Sequence, residues 1–137
     1  MPPKLFTQAE ANRLLPRLEP LVLALRATVR RLRAQQASLD AAREAARGNG
    51  HGLAGEELAR VKAEVERLAA EARERARALE GLGVVLKDVE LGLVDFLAQR
   101  GEEQVFLCWK VGEPRVAFWH GLHEGYRGRK PIGDQFG

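Results

Sequence analysis

The apolar period of this chain changes once, at Gly81. Before it, Leu and Val recur every three or four residues, the spacing of one helix face. After it they alternate with polar residues, the spacing of a half-buried strand. A chain with that single switch is restricted to helices followed by a small sheet. The residue types divide at the same place: both Trp, the only Cys, the only Tyr and ten of fourteen Gly lie at or beyond Gly81.

The helical section opens on Thr7-Gln-Ala-Glu10, a capping box in which Thr7 and Glu10 each satisfy the other's backbone N–H. A helix is therefore predicted from Gln8. Pro16 and Pro20 each lack an N–H and crowd the carbonyl four residues back. They predict a short helix, Gln8 to Leu15, a kink or break, and a long helix to about Arg47. The long helix carries a heptad stripe of Leu14, Leu18, Leu21, Leu25, Thr28, Leu32, Gln35 and Leu39. A second line of Leu15, Val22 and Val29 asks for a second packing partner. Gly48 to Gly52 predicts a turn, prolonged by Gly55. A second helix is predicted from about Gly55 to Leu79 on Leu58, Val61, Val65, Leu68, Ala72, Arg75 or Ala76, and Leu79, with Gly81 and Gly83 as its C-cap. The two helices form an antiparallel hairpin, residues 7–80.

In the head, residues 81–137, strands are predicted at Gly83 to Lys87, Leu93 to Phe96, Gln104 to Val111 and Arg115 to His120. Turns fall at Asp88 to Gly92, Arg100 to Glu103 and Gly112 to Pro114. The fold class is α+β: a long, coiled-coil-like helical hairpin and a small C-terminal antiparallel meander of three or four strands, in a single domain. Strand alternation leaves one question open. A three-residue loop at Gly112 to Pro114 pairs Cys108 with Phe118 and puts His120 on the Cys108 face; a two-residue loop puts it on the other. The tail from Gly121 to Pro131 is Gly-punctuated and either clasps the sheet or contacts a ligand.

Charge narrows the partners. The chain carries net +3, but residues 1–80 hold 15 basic against 11 acidic side chains and the head 7 against 8. A neutral head on a mildly basic handle is not the pattern of a dedicated nucleic-acid binder. The run Arg26, Arg30, Arg31, Arg33 has two readings, a solvated helix face or a phosphate-binding stripe. A single Cys excludes an intramolecular disulfide. No stretch is apolar for the length of a membrane span, and the first residues lack a signal-peptide pattern. Cytoplasmic residence is the expectation.

Five blocks, FTQAEANRLLP, LKDVELGLVDF, LCWKVGE, FWH and GYRGRKPI, together resemble the bacterial and archaeal family called domain of unknown function 2203. The resemblance spans nearly the whole chain apart from the hairpin tip. It implies a cytoplasmic, single-domain prokaryotic protein and no particular activity, substrate or cofactor. It draws attention to Asp88, Gly92, Asp95, Cys108, Trp109, Glu113, His120 and Arg129. His123 departs from the family pattern.

No nucleotide loop, HExxH, CxxC or GxSxG sequence is present, and Ser38 is the only Ser. Three function classes remain. The first is a non-enzymatic interaction or adaptor module, working through a protein partner or a homodimer of the hairpin, with Trp109, Glu113, Trp119, Tyr126, Arg127 and Arg129 as the candidate surface. The second is a metal-binding protein or small metal-dependent enzyme near His120, with Asp95, Asp88, Cys108 and Glu124 as further ligands. Those residue types suit zinc or iron better than magnesium. A Cys108–His120 nucleophile couple belongs to this class; against it, a lone Cys usually packs as a small hydrophobe. The third is nucleic-acid binding through Arg26 to Arg33, the weakest on charge. His120 is expected to share a polar cleft beside the tail with Asp88, Asp95 or Glu124.

Overall fold

The computed structural model describes residues 4–49 and 52–133. Two helices, α1 (Gln8–Asn49) and α2 (Gly52–Glu80), pack as a hairpin. They lead into a five-stranded antiparallel sheet of β1 (Val85–Asp88), β2 (Leu93–Arg100), β3 (Glu103–Lys110), β4 (Phe118–Gly121) and β5 (Lys130–Pro131), in that spatial order. The fold is α+β. Among the described residues no helix is long and apolar enough to cross a membrane.

Both halves of the capping box form. Thr7 N–H donates to Glu10 Oε1 at 2.9 Å and Glu10 N–H to Thr7 Oγ1 at 3.1 Å. Of the kink or break predicted after Leu15, the break does not occur: α1 runs through Pro16 and Pro20. Both rings lie on the exposed side of the helix, where water can take the carbonyls they leave unbonded. The opposite side is clamped by the buried Leu15, Leu18, Val22 and Leu25. Packing there outweighs a proline cost of about 3 kcal/mol per ring. Gly55 does not prolong the turn either, because it lies inside α2. A glycine in a helix costs only about 1 kcal/mol. Of the predicted turn at the tip, residues 50 and 51 lie outside the described residues.

Both apolar lines of α1 reach the sheet. Leu15 and Val22 join Leu18 and Leu25 in a core with Val94, Phe96, Leu107 and Trp109 of the sheet. Thr28 and Leu39 of α1 and Val61 and Leu68 of α2 are buried within the packed hairpin. One face of the sheet therefore rests on α1, as the second line requires.

Polar ties fix that docking. Val116 N–H donates to Asn12 Oδ1 at 2.7 Å, and Gln8 Nε2 donates to the Val116 carbonyl at 2.9 Å. These bonds explain why the strand predicted from Arg115 begins only at Phe118: Val116 spends both its backbone groups on helix side chains. The turn predicted from Arg100 to Glu103 shrinks to Gly101 and Glu102 between β2 and β3. The tail supplies the fifth strand, pairing Phe118 with Pro131 and Trp119 with Lys130. It therefore clasps the sheet. On the other side, Leu5 bridges Leu97 and Phe6 N–H donates to the Leu97 carbonyl at 2.7 Å, covering the part of β2 that β1 is too short to reach.

Candidate metal centre

The register of the sheet decides which side chains meet. β2 and β3 pair Asp95 with Cys108; β3 and β4 pair Cys108 with Phe118 and Phe106 with His120. This is the alignment a three-residue loop would give, although residues 111–117 are not strand-paired across the opening. Alternation sends Val94, Phe96, Leu107, Trp109 and Trp119 to the helices. It sends Asp95, Cys108 and His120 to the opposite face, under the tail. All three are buried, at 0%, 0% and 2% exposure. One ligand atom from each lies within 4.8 Å of the others.

The hydrogen bonding around this triad is incomplete. His120 Nδ1 lies 2.8 Å from the Gly121 carbonyl. A carbonyl only accepts, so Nδ1 carries a proton, and in a neutral ring the lone pair is then on Nε2. Nε2 lies 2.9 Å from Asp95 Oδ2, yet neither oxygen of Asp95 receives an aligned hydrogen bond. A lone pair facing a carboxylate oxygen at that distance needs a positive centre between them, a proton or a metal cation. Burial pushes the Asp95 carboxyl above its ordinary range, opposed by the nearby His120 and Lys87. Burial, and then the Asp95 charge, push the Cys108 thiol up to about 12.

The tail covers this face. Arg129 stacks 4.0 Å over Phe118 and 4.4 Å from the Tyr126 ring, and donates to both carboxylate oxygens of Glu113 at 3.0 and 2.6 Å. Glu124 Oε1 accepts from Gly121 N–H at 2.8 Å and from Lys130 Nζ at 3.1 Å. These two bonds, with the charge of Lys130, hold the Glu124 carboxyl below its usual value. Between sheet and tail lies a cavity of about 120 Å³ walled by Asp95, His120, Lys87, Leu93 and the tail residues Glu124 to Tyr126.

The candidate ligands sort accordingly. Asp95, Cys108 and His120 come together. Glu124 borders the same cavity but its carboxylate is engaged by the tail. Asp88 stands apart as a turn cap, its Oδ1 accepting from Leu91 N–H at 2.9 Å. The candidate interaction surface does not assemble. Trp109 is 1% exposed, with Nε1 donating to the Glu113 carbonyl at 2.9 Å. Trp119 is also buried, because the register turns both indoles toward the core. Glu113 and Arg129 are spent on each other, Tyr126 is half-buried, and only Arg127 of that set is exposed. The arginine run is also committed in part: Arg30 and Arg33 pair with the Glu90 carboxylate, and Arg26 donates to the Glu90 carbonyl. Lys87 was missed in the sequence. Its only signal was its place two residues after Val85, which pairs with Asp95.

No curated protein and no solved structure matches the chain. One family model does, over residues 4–132, and its description is "uncharacterized conserved protein (DUF2203)". These residues span the capping box, the hairpin, the strands bearing Asp95, Cys108 and His120, and the tail above them; the chain belongs to the DUF2203 family.

Proposed function

We propose that this is a metal-binding protein whose centre is Asp95, Cys108 and His120. One observation carries the reading: a fully buried carboxylate without an aligned hydrogen bond faces an imidazole lone pair and a thiol. A divalent cation supplies what each group lacks. The Gly121 carbonyl then plays the outer partner that orients a metal-bound imidazole. One nitrogen, one sulfur and one carboxylate favour zinc or ferrous iron over magnesium or calcium. Cytoplasmic residence, where thiols stay reduced, suits a thiolate ligand.

The competing readings have less support. A nucleophilic Cys108 needs a depressed thiol pKa, and its surroundings raise it. An adaptor role for the hairpin needs an apolar docking face. Of the four large apolar side chains exposed among the described residues, only Leu23 is on the helices.

The test is metal content and cobalt spectroscopy of untagged protein. About one equivalent of zinc or iron per chain is expected, with Co(II) giving a thiolate charge-transfer band that Cys108→Ser abolishes. A folded wild-type protein that takes up no Co(II), Zn(II) or Fe(II) refutes the proposal.

A further inference from the structure

Three protein ligands leave a metal of this kind with an open position, the arrangement of reactive rather than purely structural zinc sites. The cavity beside Asp95 and His120 is where that position opens. At about 30 Å³ per water, its volume of 120 Å³ admits roughly four waters or one small ion. Its charge is lopsided. The Glu124 carboxylate is turned to Gly121 N–H and Lys130. Lys87 is exposed and makes no direct ion pair among the described residues, although its charge is felt by Asp95; its ammonium lies 4.8 Å from the centroid of Phe106, the ring packed 5.7 Å from His120. A thiolate and a carboxylate already neutralise a divalent ion, so among the residues that wall the cavity the remaining lysine or arginine cation is Lys87.

We propose that the cavity between the sheet and the tail binds a small anion, of carboxylate or carbonate size, as an exchangeable ligand of the metal, with Lys87 as its counter-charge. The proposal rests on the metal reading and adds the ligand class to it. The anion displaces metal-bound water; no covalent bond within it changes. Glu124 to Tyr126 wall the cavity on the tail side, so an anion much larger than acetate is expected to meet them.

The experiment titrates Co(II)-loaded protein with acetate, bicarbonate and citrate, following the visible cobalt bands. Acetate or bicarbonate is expected to shift the ligand-field bands saturably, and citrate to leave them unchanged without stripping the metal. Lys87→Met should weaken the response roughly two- to fivefold, as for loss of one solvent-screened charge, and Lys87→Arg should restore most of it. Cobalt content is measured in every sample, so loss of metal is not read as loss of anion binding. A charge-transfer band with no ligand-field response to acetate or bicarbonate overturns the anion site and leaves the metal reading standing. An equal response in Lys87→Met overturns the role of Lys87. Absence of cobalt uptake overturns both readings together.

Discussion

Replacing Asp95 by Asn separates a ligand from a structural ion pair by the sign of one measurement. In metal-free protein Asp95 is a fully buried carboxylate whose oxygens lack aligned donors. Leaving a buried polar group unsatisfied costs about 1–3 kcal/mol, and more when it is charged. Asn has the same shape without the charge, and its amide can donate to the Nε2 lone pair. Metal-free Asp95→Asn is therefore expected to be more stable than metal-free wild type by about 1–3 kcal/mol at neutral pH, or roughly 3–6 °C per kcal/mol for a chain of this length. The pH dependence follows from the raised carboxyl. Its folded-state pKa lies above the ordinary 3.8, so the native state holds the proton to higher pH than the unfolded chain does. The penalty is absent below the ordinary value and grows as pH rises through the folded one. Wild type and variant should converge in acid and diverge toward neutrality. The assay is denaturant unfolding in excess chelator across that range. With metal restored the order should reverse, because only wild type gains binding energy. If Asp95 instead anchors an imidazolium, removing it breaks a buried pair and costs about 3–5 kcal/mol. A metal-free Asn variant less stable than wild type at neutral pH refutes the reasoning.

Three further outcomes are expected. Thr7→Ala removes one half of the capping box and should cost about 1 kcal/mol in denaturant unfolding; no change would show that the sheet docking alone holds the helix start. Gly92 has φ +67° and a Cβ there would lie 2.4 Å from Val111 Cγ2, whereas Gly101 has φ +61° and open space. Gly101→Ala should cost about 1 kcal/mol and Gly92→Ala roughly 2–3 kcal/mol, so equal melting shifts would discount the contact. Glu90→Gln frees the exposed Arg30 and Arg33; it should lower the melting midpoint slightly at low salt and not at high salt, and a salt-independent loss would contradict a screened surface network.

The sequence shows a structural feature wherever local chemistry decides it. Thr7 and Glu10 are close in the chain, and both of their reciprocal bonds form. Pro16 and Pro20 misled because the local penalty is fixed by the ring, while the gain on the other side of α1 comes from sheet residues some eighty positions away. The truncated β4 is a similar case: nothing near Val116 reveals that Asn12 and Gln8 will take its backbone groups. The site was half visible. Alternation linked Cys108 to His120 only under one of two registers, and Asp95 joined them only through the pairing of β2 with β3. The two indoles, offered as a surface by composition, were assigned to the core by that same register.

The helix start and the sheet are tied across a long stretch of chain. Lys4 N–H donates to the Gly83 carbonyl at 3.0 Å, Phe6 N–H to Leu97, and Gln8 and Asn12 both hold Val116. In order of synthesis, residues 4–12 emerge well before the residues from Gly83 to Val116 that they bond. The hairpin can zip from its tip outward through contacts close in sequence, a fast process. Its open end gains its partners only once the sheet exists, and the loops to be closed there exceed a hundred residues for Val116. Until that closure the Leu15–Val22 line of α1 lacks its sheet partners. The slow step in folding therefore falls at the open end of the hairpin, where the sheet that carries Asp95, Cys108 and His120 docks.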